Sequence, residues 1–149
     1  MLKFKKSTAA DLDLMMELRL EMLKVVNDLE QDFEFDRDFI QTSRAYFLEG
    51  NQTTVIAFED EPAGCATLCY IDLMPTFSHP TGKRAHLMNV YTREKFRRRG
   101  IGEQMVKSLI DEAKAKGITE ISLDATNEGR LLYEKLGFKD NGEGMTLIL

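Results

Sequence analysis

Residues 89–117 read NVYTREKFRRRGIGEQMVKSLIDEAKAKG and carry the strongest structural signal in the chain. An alternating, strand-like run that begins near Arg84 enters three arginines and a Gly-Ile-Gly turn, and apolar residues then recur at helical spacing from residue 101 to 116. A strand that passes through such a turn into a helix presents backbone N–H groups at the helix N-terminus, where the helix dipole favours negative charge. Gly100 and Gly102 would let an anion approach the backbone closely. The stretch predicts an anion-binding turn, with a solvated basic surface as the alternative.

Composition narrows the class of protein. The 149 residues carry a net charge of −5, with 30% charged and 43% hydrophobic residues, which is ordinary for one globular domain. Nucleic-acid binders usually carry the opposite charge, and the basic turn has few aromatic residues for base stacking, so we expect no nucleic-acid partner. No apolar run reaches the roughly 20 residues that cross a bilayer, and residues 1–12 lack the apolar centre of a signal peptide. We therefore expect a cytoplasmic protein without membrane association.

Cys65 and Cys69 are the two cysteines of the chain. They stand four residues apart in a strand-like run, which places them about 13 Å apart and too far for a disulfide. A zinc site would need further ligands at short spacing, and only two histidines are present. The sequence predicts buried thiols and no metal.

Hydrophobic periodicity and turn residues predict the element order β-α-α-β-β-β-α-β-α-β. Strands are predicted at residues 2–6, 53–58, 63–73, 84–92, 118–125 and 144–149. Helices are predicted from the box-like pair Thr8 and Asp11 to about Asn27, and at residues 38–48, 101–116 and 127–137. Because no linker, repeat or low-complexity segment interrupts this order, we expect residues 1–149 to form a single α/β domain.

A second signature follows the first at residues 123–138, which read LDATNEGRLLYEKLGF. The two stretches together resemble the GNAT superfamily of acyl-CoA N-acyltransferases, in which Q/R-x-x-G-x-G/A follows a strand and L-Y-x-K-x-G-F lies on a later helix. The first motif is matched by Arg97, Gly100 and Gly102. The second is matched by Leu132, Tyr133, Lys135, Gly137 and Phe138. The resemblance implies an α/β (α+β) fold with a mixed, mostly antiparallel sheet, splayed parallel strands 4 and 5, and about four flanking helices.

The resemblance also implies a co-substrate, acetyl-CoA, and an acceptor, a primary amine of a small molecule or peptide. In the family the pantetheine arm lies between the splayed strands and bonds to the backbone of the strand before the turn, which here is Val90, Tyr91 and Thr92. The pyrophosphate would lie on the backbone of the turn, and the arginine side chains would add charge toward the 3′-phosphate. The turn consists of Arg97, Arg98, Arg99, Gly100, Ile101 and Gly102.

Direct acyl transfer needs a base and an acid, because a free amine with a pKa near 10 is mostly protonated at neutral pH and the departing thiolate needs a proton. By motif position Tyr133 is the acid. His86 stands six residues before Thr92, so a regular strand would place both on one face, and histone-acetylating members carry a glutamate base at this position. A histidine that titrates near pH 6.5 suits the role. His79, Asp124 and water are the alternatives.

Other features leave alternatives open. Many family members carry an asparagine that contacts the cofactor where Thr126 stands, with Asn127 beside it; either residue could bind the cofactor or cap the next helix. Glu17 and Glu21 lie one helical turn apart and could attract a cationic amine, or simply form a solvated face. A non-catalytic acyl-CoA sensor would keep the basic turn without needing Tyr133. Such folds commonly dimerise through their last strands, so a homodimer is a further expectation.

Overall fold

The computed structural model describes residues 1–149. Five strands form one sheet: β1 (Lys3–Lys6), β2 (Gln52–Glu59), β3 (Glu61–Asp72), β4 (Lys83–Thr92) and β5 (Ile121–Ser122). Four helices flank it: α1 (Leu12–Val26), α2 (Arg37–Glu49), α3 (Ile101–Ala115) and α4 (Arg130–Lys135). This architecture confirms the predicted α/β (α+β) fold. No helix is long and apolar enough to cross a membrane.

The strands lie in the sheet in chain order, antiparallel from β1 to β4 and parallel between β4 and β5. The β2–β3 hairpin turns at Asp60, whose φ of 66° lies in the left-handed region that aspartate tolerates. β4 and β5 pair at only two positions, Ala85 with Ile121 and His86 with Ser122. Beyond them the strands separate, which confirms the predicted splay. The edge of β4 from residue 87 to 92 therefore has no neighbouring strand.

Both faces of the sheet carry apolar layers. α3 packs on one face through a set of buried side chains, which are Ile101, Met105, Val106, Leu109 and Ala113. α1 packs on the other face through Met15, Leu18 and Met22. Burial of each large apolar side chain stabilises the fold by about 1.5–3 kcal/mol, so both helices are held firmly against the sheet. The opening beside β4 consequently lies between two rigid layers.

One extra residue in β4 shifts the alternation of its side chains. Cys65 pairs with Tyr91 and Thr67 pairs with Met88, so β4 advances three residues where β3 advances two. Within this β-bulge Asn89 has a φ of 60°. Asparagine is among the few residues other than glycine that adopt this left-handed conformation readily. The bulge reverses the phase of every β4 residue before it.

The phase reversal places His86 and Thr92 on opposite faces. Tyr91 packs in the α1 core, so Thr92 faces α3, where its Oγ1 would lie 3.7 Å from a Cβ on Gly102. Leu87 packs in the α3 core, so His86 faces the α1 side. The sequence prediction that the histidine and the threonine share one face was wrong, because it assumed a regular strand.

Two predicted strands also differ from the structure. The strand predicted at 118–125 is confined to Ile121–Ser122, where β4 is close enough to pair with it. Residues 144–149 form no strand, and four of their apolar side chains are exposed, namely Met145, Leu147, Ile148 and Leu149. The prediction of a last strand was wrong for the single chain, because no other strand bonds to the backbone of this segment.

Candidate active site

The turn between β4 and α3 offers a row of free backbone donors. Arg98 and Gly100 adopt left-handed φ angles of 64° and 73°, and the buried ring of Phe96 anchors the turn. The first intrahelical bond of α3 runs from the N–H of Gln104 to the carbonyl of Gly100, at 3.1 Å. The N–H groups of residues 98–103 donate to no backbone carbonyl. Free donors at the positive end of α3 are the arrangement that favours an anion.

The three arginines of this turn have different surroundings. Nε of Arg97 donates to the carbonyl of Thr92 at 2.9 Å, which ties the turn to the end of β4. Arg99 forms an ion pair with Glu59 on β2. Arg98 is exposed and takes part in neither kind of contact. Its side chain is therefore the most available of the three to a bound anion.

The last residues of β4 line the opening with their backbone. The N–H of Arg93 bonds to the carbonyl of Ala63 on β3, at 2.8 Å, so the N–H and C=O of the preceding Thr92 point away from β3. The C=O accepts from Nε of Arg97, which leaves the N–H of Thr92 at the edge of the strand. Val90 packs in the α3 layer and Tyr91 in the α1 layer. The side chains of this stretch are thus occupied on the two faces, and the strand presents main-chain groups at its edge.

Tyr133 lies on α4, the helix that follows β5, and packs against the α3 side of the core. Its ring is half-buried and meets Phe138 edge-on, with ring centroids 5.8 Å apart. Burial raises the pKa of Tyr133, and no hydrogen bond from a neighbour alters it. The tyrosine lines a cleft of about 460 Å³ together with Ser122, Asp124 and Arg130. A protonated phenol with a free hydroxyl in a cleft has the properties of a proton donor.

Two of the candidate bases come together between β4 and the residues after β5. Nδ1 of His86 lies 2.7 Å from Oγ of Ser122, and Nε2 lies 3.7 Å from a carboxylate oxygen of Asp124. Oγ of Ser122 donates to the carbonyl of Ala85 at 3.4 Å, so it accepts from the Nδ1–H of the histidine. That tautomer leaves Nε2 free to accept a proton. The aspartate is placed to stabilise the resulting imidazolium.

His79 occupies a different polar cluster. Its Nδ1 lies 2.9 Å from Oγ1 of Thr119 and its Nε2 lies 3.2 Å from a carboxylate oxygen of Glu120. With both ring nitrogens engaged, the histidine fastens the loop before β4 to the residues that precede β5. No group of three or more His, Cys, Asp or Glu side chains is arranged to hold a metal ion.

Thr126 and Asn127 differ in their contacts. Oγ1 of Thr126 accepts from the N–H of Gly129 at 3.2 Å, and its carbonyl accepts from the N–H of Arg130 at 3.1 Å, so this threonine holds the turn that precedes α4. Asn127 is exposed and its side chain has no partner in the protein. Of the two, the asparagine has the free polar groups.

The acidic pair on α1 is largely neutralised. Glu21 accepts from Nε and Nη2 of Arg93 at 2.9 and 3.1 Å and from the hydroxyl of Tyr91 at 2.7 Å. Partial burial alone would raise the pKa of Glu21, but these bonds hold it below its ordinary value. Glu17 is 63% exposed and lies 3.7 Å from the same guanidinium. Glu21 thus ties α1 to the end of β4 and has little charge left for an amine.

Sequence reasoning missed a buried polar network that begins at the bulge. Nδ2 of Asn89 donates to Oγ1 of Thr67 at 3.1 Å, which lies 2.7 Å from Oγ1 of Thr54. Thr54 in turn donates to Oε1 of Gln52 at 2.7 Å. Oδ1 of the asparagine accepts from Nη1 of Arg19 on α1 at 3.3 Å. A lone asparagine inside an alternating apolar strand is the signal that could have indicated both the bulge and this network.

The sequence matches the acetyltransferase (GNAT) family over residues 14–138. It is similar to the glucosamine 6-phosphate N-acetyltransferase of Arabidopsis thaliana, with 29% identity over 116 residues, 77% of this chain and 75% of the relative. A solved predicted acetyltransferase with acetyl-CoA from Clostridium acetobutylicum has a TM-score of 0.87 and 28% identity, over 99% of this chain and 96% of that one. An aminoglycoside acetyltransferase from an uncultured soil sample shares the fold, with a TM-score of 0.76 and 17% identity over 100% and 99% of the chains.

The chain therefore belongs to the GNAT acetyltransferase family. It is an acyl-CoA N-acyltransferase that uses acetyl-CoA as co-substrate. The residues present suit that molecule, because the free N–H groups of residues 98–103 offer donors to its phosphates and the unpaired edge of β4 offers main-chain groups to its pantetheine amides.

Proposed function

We propose that the protein moves the acetyl group of acetyl-CoA directly to a primary amine of a small molecule or peptide. The observation that carries the proposal is the placement of Tyr133, whose side chain lines the cleft alongside β5 together with Ser122 and Asp124. The row of free N–H groups in the β4–α3 turn would hold the pyrophosphate, and the backbone of Val90, Tyr91 and Thr92 would direct the thioester to that cleft. Arg98 and Asn127 have free side chains for the nucleotide.

In this proposal the chain's own groups move two protons. The amine nitrogen attacks the thioester carbon, a C–N bond forms and the C–S bond breaks. His86 accepts the amine proton at Nε2, directly or through water, with Asp124 stabilising the imidazolium. Tyr133 donates its phenolic proton to the departing sulfur. General acid and base groups of this kind each contribute about 10²–10⁴ in rate.

The acceptor amine is the least constrained part of the proposal. The relative from Arabidopsis thaliana is named for glucosamine 6-phosphate, which makes amino-sugar phosphates the first acceptors to test. Amino acids, polyamines, aminoglycosides and peptides complete a panel of chemically distinct amines. CoA release should depend on one of these acceptors.

The decisive experiment compares wild type with Tyr133→Phe, which keeps the ring packing and removes only the hydroxyl. We expect amine-dependent CoA release to fall at least tenfold, with calorimetric acetyl-CoA binding unchanged. Tyr70→Phe is the matched control, because its hydroxyl donates to Glu112 away from the cleft and its loss should leave kcat unchanged. Tight acetyl-CoA binding without turnover on the whole panel would instead favour a non-catalytic acyl-CoA sensor.

We also propose a homodimer, in which residues 144–149 of one copy add to the free edge of β5 in the other. Support comes from the apolar side chains of this segment, which are exposed by 82–109%, and from the position of β5 at the end of the sheet, where its outer edge has no neighbouring strand. A segment of this kind gains backbone bonds and apolar burial by strand addition. Light scattering at several concentrations tests the proposal, since Leu147→Asp should shift a dimer to monomer. A wild type that stays monomeric at all concentrations would exclude it.

A further inference from the structure

Arg19 differs from every other half-buried arginine of the chain. Four of these arginines have a carboxylate partner: Arg44 with Asp13, Arg84 with Glu120, Arg93 with Glu21, and Arg130 with Asp140. Arg19 has none, and the one hydrogen bond that it donates within the protein goes to the neutral side chain of Asn89. A partly desolvated cation without a counter-ion costs free energy that surface arginines do not incur.

The neighbours of Arg19 cannot supply the missing charge. The titratable groups that act on the charge of Arg19 are the thiols of Cys65 and Cys69, and burial raises the pKa of Cys65 to about 12, so this thiol stays neutral. The desolvation of Arg19 lowers its own pKa from 12.5, yet a guanidinium remains charged at neutral pH. The positive charge at this position is therefore uncompensated.

The unused donors of Arg19 are open to solvent. A guanidinium carries five N–H donors, of which only one bond at 3.3 Å is made. No nitrogen of Arg19 is both buried and without a hydrogen-bond partner. Its unbonded donors are therefore in contact with solvent.

The bulge fixes the position of the Arg19 guanidinium relative to the proposed position of the thioester. Asn89 belongs to the stretch of β4 that has no neighbouring strand, where the thioester is proposed to lie, and the network through Thr67 and Thr54 orients its amide. Exposed Met88 and half-buried His86 lie beside it on the strand. Arg19 thus stands next to the place where an acceptor amine would meet the acetyl group.

We propose that Arg19 binds an anionic oxygen group, phosphate or carboxylate, of the amine acceptor, and so makes the enzyme selective for anionic amines. This inference rests on the proposed acetyl transfer to an amine. The planar guanidinium matches either group with two parallel hydrogen bonds, whereas a polyamine or a cationic peptide would meet repulsion. Arg19 is a binding residue in this role and moves no proton.

The test compares acceptors that differ only in the anionic group, with wild type, Arg19→Gln and the control Arg44→Gln. Glucosamine 6-phosphate against glucosamine tests phosphate, and glycine against glycinamide tests carboxylate. We expect wild type to favour one anionic acceptor at least tenfold in kcat/KM, chiefly through KM. Arg19→Gln should abolish that preference and leave the KM for acetyl-CoA unchanged, while Arg44→Gln should retain it.

A binding measurement separates this inference from the proposed function. Glucosamine 6-phosphate and glycine are titrated calorimetrically into protein saturated with CoA. Because CoA then occupies the proposed pyrophosphate turn, the anions cannot bind there. Arg19-dependent binding without turnover would support the anion site and overturn the acetyl transfer. Turnover with equal kcat/KM for anionic and neutral acceptors, or an equal loss on both in Arg19→Gln, would overturn the anion site alone. Absence of both binding and turnover would overturn both.

Discussion

The carboxylate of Glu21 on α1 and the guanidinium of Arg93 at the end of β4 are joined by two hydrogen bonds, 2.9 and 3.1 Å long. The residues lie 72 positions apart in sequence, so the pair fixes a helix to the strand that leads into the β4–α3 turn. The contribution of this ion pair is to the stability of the fold, and it can be measured as a change in the free energy of unfolding.

Glu21→Gln should lower the free energy of unfolding by about 1–2 kcal/mol at neutral pH, because a half-exposed two-bond ion pair and a tyrosine bond are weakened. The folded-state pKa of Glu21 is depressed below 4.5, so its contribution is full above pH 4.5 and is lost as pH falls through the lowered pKa. Denaturant unfolding from pH 3 to 8 measures this. Glu17→Gln, at 3.7 Å from the same arginine, should cost less than about 0.5 kcal/mol; equal costs for the two variants would refute the prediction.

Gly100→Ala should destabilise the protein by about 1–2 kcal/mol, because alanine is strained at a φ of 73° although no atom lies within 4 Å of the added Cβ. Gly102→Ala is the contrasting variant, since its Cβ would make ordinary contacts at 3.7 and 3.9 Å. We expect its stability to change by less than about 0.5 kcal/mol, while acetyl-CoA affinity falls because the methyl group occupies the surface of the turn. Thermal unfolding and calorimetry distinguish the two effects.

His86→Asn should lower kcat at least tenfold at neutral pH, because asparagine can keep the bond to Ser122 but cannot accept the amine proton. The deficit should narrow as the pH rises and the acceptor amine loses its proton in solution. His79→Asn is the control and should affect stability more than rate, since both nitrogens of His79 serve the loop before β4. A pH–rate profile in which both variants follow wild type would assign the proton to water.

Arg98→Gln should weaken CoA binding by about three- to tenfold at low salt, and the effect should shrink as salt screens the charge. Dephospho-CoA should show a smaller loss if the side chain reaches the 3′-phosphate. Arg99→Gln provides the comparison, because its charge is already paired with Glu59, and its main effect should be a stability loss below about 1 kcal/mol. Matching losses of affinity in the two variants would argue against a special role for Arg98.

The sequence predicted the parts of the fold that depend on local pattern. Apolar spacing placed α3, and Gly100 marked its start, so the donor row of the turn followed from the chain alone. The pairing of strands that are distant in sequence could not be predicted from local pattern. The bulge at Asn89 depends on how β4 meets β3, and it moved His86 to the face opposite Thr92. Residues 144–149 have a strand-like pattern, yet a pattern cannot supply the neighbouring strand.

In the candidate site, too, residues within local motifs could be predicted from the sequence, and residues defined by long-range contacts could not. Tyr133 and the turn could be proposed from the sequence because each belongs to a compact motif. Arg19 could not, because the reason to propose it is the carboxylate partner that it lacks. Such an absence becomes visible only when all 149 residues are placed in space.

The extra residue in β4 divides this strand into two halves whose side chains alternate between the faces of the sheet in opposite phase. After the bulge Tyr91 faces α1 and Thr92 faces α3, and residues before the bulge follow the opposite alternation. Deleting one residue at the bulge would send the imidazole of His86 into the α3 layer and bring the isobutyl group of Leu87 out beside α1. A shift of one residue in the register of β4 would therefore replace the imidazole that we propose as proton acceptor with an aliphatic side chain on the α1 side of the sheet.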